Sequence, residues 1–157
     1  PQADQAGVLF HVAAAVGKER VGIRLSPHGQ ANDMRPDPEP MATYGYLAEE
    51  LQKLGLAYLH LYDQSTSWIH DPDDELLRLI RGKFTNALML CGGFTGRKAE
   101  AALATGSGDL IAIGKPFISN PDLVSRLRQG VEIAPWDSKT FYLGGHSGYL
   151  DYPTFSA

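Results

Sequence analysis

Four short apolar runs, Val21–Leu25, Ala57–Leu61, Ala87–Leu90 and Leu110–Ile113, alternate with stretches whose apolar residues recur at helical spacing. This alternation constrains the fold more than any other feature of the chain. A strand followed by a helix must cross over before the next strand can pair. Successive strands therefore lie parallel, joined by right-handed crossovers. Leu47, Leu51 and Leu54 mark one helix, closed by Gly55. Leu76, Leu77 and Ile80 mark another, stopped by Gly82. Ala99, Ala102 and Leu103 form the inward side of a third, and Leu123, Val124 and Leu127 belong to a fourth that stops at Gly130. Thr43, Thr95 and the run Asn120-Pro121-Asp122 read as helix starts. Ahead of the first strand, Val8, Leu9, Val12 and Val16 share one helical face, with Gly17 as the stop. Pro36, Pro38 and Pro40 make residues 31–41 a loop. Tyr62–Asp73 is a polar loop with Trp68 and Pro72, and 131–157 is a loop tail rich in glycine, proline and aromatics.

The strands read as continuous apolar runs, the pattern of strands buried on both faces. Two architectures are compatible with this order. One is a small doubly wound sheet, the other part of a (β/α)8 barrel. A whole barrel takes eight units and about 250 residues, whereas this chain of 157 residues supplies four. It is half a barrel if it is barrel at all. The expected organisation is a single partial domain over residues 1–157, with 131–157 as its tail.

Two of the runs end in glycine, at Gly92-Gly93 and at Gly114-Lys115. In a βα unit the strand's carboxyl end and the next helix's amino end face the ligand. Backbone N–H groups there bind phosphate oxygens, and glycine lets the phosphate approach. Taken alone, Gly92-Gly93 reads first as a tight turn; the pairing with Gly114-Lys115 shifts the reading toward a phosphate. Gly106-Ser107-Gly108 lies before a strand, on the wrong side for a dinucleotide fingerprint, and reads as a turn. Arg24 sits inside a strand between Ile23 and Leu25. It requires either an ion pair or edge position, or an electron-rich ligand to which the guanidinium is directed.

Other chemistries find less support. The five histidines show no metal-ligand spacing, so no metal is expected. Asp71, Asp73, Asp74 and Glu75 read as a solvated helix start. Cys91 reads as a small buried apolar group, and Trp68 as either pocket lining or packing. No Ser–His–Asp arrangement or carboxylate pair stands out. A formal net charge of -4 argues against nucleic acid as a partner. No apolar run is long enough to span a membrane. A single cysteine excludes an internal disulfide and fits a reducing compartment, so a cytoplasmic location is expected. A start at Pro1 rather than methionine is expected of a chain that is processed, trimmed or part of something longer.

VGIRLSPHGQANDM (21–34), AYLHL (57–61), CGGFT (91–95), IGKPFISNPDLVSRL (113–127) and FYLGGHSGYLDYP (141–153) together resemble the Old Yellow Enzyme family of FMN-dependent ene-reductases. The similarity runs in order from about residue 8 to 155. The resemblance implies the C-terminal half of a (β/α)8 TIM barrel, its last four strand-helix units and tail. It implies FMN as cofactor and NAD(P)H as reductant. The implied substrates are activated alkenes, or nitro and nitrate-ester compounds. Arg24 would approach the pyrimidine edge of the flavin. Gly92, Gly93, Gly114 and Lys115 would form the phosphate loops, with Phe94 and Phe117 packing beside the flavin. Tyr142 would overhang the substrate and nicotinamide site. Lys115 stands where the family usually has arginine, which keeps the charge but loses the bidentate fork. The family's histidine/asparagine pair and its proton-donating tyrosine have no counterpart, so no catalytic residue is assigned in this chain. Turnover would require a complementary half-barrel, from another chain or another part of the same protein; self-association could close a barrel-like shell but would still lack those groups. The alternative is a half-barrel remnant or interaction module without chemistry.

Overall fold

The structure, a computed structural model, describes residues 2–29, 33–65, 68–142 and 144–155. Of the motif and loop positions above, Gln30, Ala31, Asn32, Thr66, Ser67 and Leu143 lie outside the described residues. The chain divides into two compact units, residues 1–112 and 113–157.

The first unit runs α1 (Gln2–Val16), β1 (Gly22–Leu25), α2 (Pro40–Leu54), β2 (Tyr58–Tyr62), α3 (Glu75–Lys83), β3 (Ala87–Cys91), α4 (Gly96–Ala104) and β4 (Leu110–Ala112). Its sheet has the order β1-β2-β3-β4, all parallel. The order never doubles back. Crossovers of one hand then place α2, α3 and α4 on the same side. A doubly wound sheet needs a reversal of strand order, so that alternative is excluded.

Burial follows from this one-sided winding. Leu59, Leu61, Leu88 and Leu90 are fully buried, as are Leu51 of α2 and Leu77 and Ile80 of α3. The alternate residues form rows set by register: Gly22–Tyr58–Ala87, then Arg24–His60–Met89–Leu110, then Tyr62–Cys91–Ala112. These rows are half-buried or exposed, with Tyr58 at 38% and Leu110 at 46% exposure. Burial of both strand faces, expected from the sequence, is therefore corrected. Gly22 carries no side chain because the Tyr58 ring occupies the space a Cβ would fill.

Several boundaries differ from the pattern. β2 and β3 extend to Tyr62 and Cys91, and β1 begins at Gly22. α2 starts at Pro40, so Thr43 is interior and caps nothing; proline supplies the first turn, where its missing N–H costs no bond. α3 runs through Gly82 to Lys83 and begins at Asp74, whose carboxylate accepts from the Leu77 N–H at 2.9 Å. Thr95 caps α4 as expected, accepting from the Lys98 N–H. α4 buries no residue fully, and Leu103 is 42% exposed rather than inward. Cys91 lies half-buried on the open face rather than in the core.

The second unit contains α5 (Lys115–Ser119), which the sequence pattern did not separate, and α6 (Leu123–Gln129), closed by Gly130 in the left-handed region. Its tail has little regular structure and is held by two polar hubs. The fully buried Asn120 donates to the carbonyls of Pro116 and Ala134 and accepts from the Ala134 N–H. Arg126 pairs with Asp122 at 2.9 Å and donates to the carbonyls of Glu132 and Pro153, while Asp122 accepts from the Phe155 N–H. Asn120 and Asp122 thus tie loops together rather than capping α6 with their side chains. No helix among the described residues is long and apolar enough to cross a membrane.

Unequal faces give unequal mutational costs. Leu88→Ala should lose about 2–5 kcal/mol of stability, the usual range for a buried leucine. Met89→Ala, one residue along on the open face, should lose clearly less; urea denaturation of the two variants measures the contrast. Asp109 accepts from the Leu88 N–H at 2.8 Å and from Arg81 at 2.6 Å, which lowers its carboxyl pKa. A carboxyl depressed in the folded state stabilises above its unfolded pKa of about 3.9 and loses that contribution as pH falls further. Asp109→Asn should therefore flatten the acid limb of the stability curve below about pH 4.

Candidate functional site

The carboxyl ends of β1, β2 and β3 carry the polar groups of the first unit. Arg24 stands exposed on the open face, with its Cζ 5.4 Å from the centroid of the Tyr62 ring. Among the described residues it has no ion pair, which answers the sequence question against a buried pair. His60, its in-register neighbour, has a pKa lowered first by burial and then by the Arg24 charge. The imidazole Nε2 is buried without a hydrogen-bond partner among the described residues. The Cys91 thiol is pushed up by burial, against a smaller downward pull from Arg24.

The loop after β3 is fixed by the loop after β2. Asp63 is buried and its N–H donates to the Cys91 carbonyl at 2.8 Å. Its carboxylate accepts from the Ser65 N–H and hydroxyl and from the Ile69 N–H. A Cβ on Gly92 would lie 2.6 Å from the Asp63 carbonyl oxygen, and the Gly92 φ of 150° is one that side chains disfavour. Gly92 is therefore required by packing, whatever the loop binds. Gly93 is exposed, with φ 61° in the left-handed region. Phe94 is turned inward, 5% exposed, with its ring edge-on to His70 at 4.5 Å between centroids. Trp68 is buried and edge-on to His28 at 5.4 Å, a packing role rather than an open pocket wall.

In the second unit, Gly114 precedes α5 with φ −98°, and a Cβ there would meet nothing within 4 Å. Lys115 is exposed at the first residue of α5, and Phe117 is 45% exposed. Tyr142 is 94% exposed, with φ 64° and its N–H donating to the Tyr149 hydroxyl at 3.3 Å. No group of three or more metal-ligating side chains occurs among the described residues. Sequence reasoning missed Tyr62 and His60. The signal was present in YLHLY, where polar and leucine positions alternate with the period of a strand.

Four parallel strands in sequence order, alternating with helices, define an α/β segment of the barrel type. The model of the NADH:flavin oxidoreductase / NADH oxidase family matches residues 6–133, and the chain belongs to that family, the Old Yellow Enzymes. It is 40% identical over 155 residues to a chanoclavine-I aldehyde reductase of Penicillium roqueforti, covering 93% of this chain and 41% of that protein. It is 38% identical to 12-oxophytodienoate reductase 7 of Oryza sativa subsp. japonica, covering 90% and 40% of the two chains. Among solved structures, morphinone reductase in complex with tetrahydroNAD superposes with a TM-score of 0.86 at 39% identity, covering 95% of this chain and 39% of that one. The old yellow enzyme of Trypanosoma cruzi gives 0.85 at 31% identity, covering 95% and 39%. The four parallel strands and their helices match part of the Old Yellow Enzyme barrel. The chain spans about two fifths of the length of these relatives.

Glycine substitutions separate packing from binding. Gly92→Ala should destabilise the fold by about 1–3 kcal/mol, the cost of backbone strain at such a position. Gly114→Ala should leave the thermal midpoint unchanged, because its Cβ enters open space. Thermal denaturation of both variants measures this.

Proposed function

We propose that the chain is the C-terminal half of an Old Yellow Enzyme-type (β/α)8 barrel and supplies its FMN-holding segment. The exposed, unneutralised Arg24 on the open sheet face is the observation that carries this reading. The residues present suit FMN. Gly93 offers an exposed left-handed backbone, Gly114 has room beside its own, and Lys115 is an exposed cation next to Gly114. Arg24 would meet the electron-rich pyrimidine edge and stabilise negative charge there. Gly92 would shape the loop that presents Gly93. Phe94 would support that loop from beneath, and Phe117 would pack beside the cofactor. Tyr142, almost fully exposed, is free to overhang a substrate or nicotinamide.

When bound, FMN would supply hydride transfer from NAD(P)H to an activated alkene, or to a nitro or nitrate-ester compound. The reductant is suggested by the tetrahydroNAD complex of morphinone reductase. This chain assigns no proton donor and no pair to hold a substrate carbonyl. Turnover therefore requires a complementary half-barrel, from another chain or a longer form of this one. The open face and the exposed Val8, Phe10, Val12 and Val16 of α1 support such a partner, since unpaired edges and apolar surface favour association. Self-association is the other way to cover them. A second reading is a half-barrel that binds partners without chemistry, which the exposed apolar residues of α1 favour.

The visible spectrum of the purified chain separates these readings. Oxidised flavin bands in the blue and near ultraviolet are expected, and their absence from the protein fraction after incubation with FMN and removal of the unbound cofactor would leave the non-catalytic half-barrel. Lys115→Ala should weaken FMN, whereas Lys115→Arg should retain or improve it through two parallel hydrogen bonds to phosphate. Equal FMN affinity in wild type and Lys115→Ala would remove the lysine from the phosphate site. The chain alone should show little or no turnover with an activated alkene, FMN and NADPH.

A further inference from the structure

Side chains on one face of a strand stand in rows, and register assigns Arg24 to the row of His60 and Met89. Tyr62 belongs to the next row toward the carboxyl ends, beside Cys91. Successive rows are about 6–7 Å apart, two residues of strand rise. An arginine rising straight from β1 would stand over its own row. Its guanidinium is instead 5.4 Å from the Tyr62 ring centroid, inside the range for a cation–π contact. The contact therefore joins Arg24 on β1 to a ring on β2 that belongs to the row nearer the loops.

The kind of partner matters as much as the direction. A carboxylate would hold the guanidinium but neutralise it and occupy its N–H donors. The nearest carboxylate in sequence to Tyr62 is Asp63, which is buried and engaged by Ser65 and Ile69. His60, held uncharged by burial and by Arg24, neither neutralises nor strongly repels the cation. An aromatic face holds a cation by its quadrupole and leaves the charge and the donors available. We propose that Tyr62 is a positioning residue, whose ring holds the Arg24 guanidinium toward the carboxyl ends of the sheet, unneutralised, for an anionic or electron-rich ligand edge. The identity of that edge as flavin rests on the reading above; the positioning does not.

Proton NMR of the 157-residue chain tests the contact without any ligand. The ring current of Tyr62 should shift the Arg24 side-chain protons upfield. Tyr62→Phe should keep the shift, and Tyr62→Leu should abolish it while the amide spectrum stays dispersed. In FMN titrations Tyr62→Leu should weaken binding roughly 2- to 5-fold, the range for an exposed cation–π contact. Tyr62→Phe should match wild type. An unshifted Arg24 in the wild-type chain would overturn the proposal, even if Tyr62→Leu does not fold. So would a Tyr62→Leu variant that folds and keeps both the upfield shift and wild-type FMN affinity. A wild-type chain with shifted Arg24 protons and no FMN binding would support the positioning and sink the flavin reading instead.

Discussion

The fold of the first unit depends on one asymmetry: four parallel strands in sequence order bury one face and leave the other open. Crossovers of constant hand bring every strand-connecting helix to the leucine face. Leu59, Leu61, Leu88 and Leu90 then form a dry layer beneath α2 and α3, at 0% exposure. By the pleat, the residues between them must point the other way. Those residues are Tyr58, His60, Tyr62, Met89 and Cys91, with Arg24 on β1 in the same rows. A single rule of chain geometry thus makes both the stable layer and the chemically varied surface.

The loops at the carboxyl ends are held by a buried acid rather than by length or flexibility. Asp63 joins the ends of β2 and β3 through its N–H bond to Cys91 and stabilises its own loop with its carboxylate. Its carbonyl excludes any side chain at Gly92. The glycine pair after β3 therefore divides its work. Gly92 is where two loops touch, and Gly93 is where the backbone faces outward. The second unit uses the same device at Asn120 and at the Asp122–Arg126 pair. There, buried hydrogen bonds to carbonyls stand in for the sheet and helix that a tail lacks.

Strand order, parallel pairing and the positions of the glycine loops were legible in the sequence, because the alternation of apolar runs and helical periodicity admits few topologies. The two-sided character of the strands was not. AYLHLY reads as apolar when tyrosine is counted with leucine, yet its alternation is the pattern of a half-buried strand. Helix edges failed where two signals competed. Pro40 outbids Thr43 as a start because proline suits the first turn, and Gly82 is overridden because Leu77 and Ile80 on the same helix are buried against the sheet layer. Asp122 looked like a helix-dipole acid, but tertiary pairing with Arg126 and the tail claimed its carboxylate. Such a pairing with residue 155 is beyond any local pattern. Tyr62 and its contact with Arg24 were hidden for the same reason, since they depend on register between strands 30 or more residues apart in sequence.

The open face is also electrically simple. Burial lowers the His60 pKa and raises that of Cys91, so at neutral pH both are uncharged. The remaining positions of the three rows are glycine, tyrosine or apolar. Among the described residues of these rows, Arg24 is thus the one cation. While that face meets water, the charge is solvated and its field weak. Once a second half-barrel or another copy covers it, the same charge loses its hydration, and an uncompensated buried cation is costly. An anionic or electron-rich ligand at Arg24 removes that cost. Closure of the face and occupancy of the proposed site would therefore be linked, each favouring the other, by the reciprocity that governs any two binding events sharing one interaction. Tyr62 fits this scheme because it holds the guanidinium without neutralising it, and so leaves the pairing to the ligand.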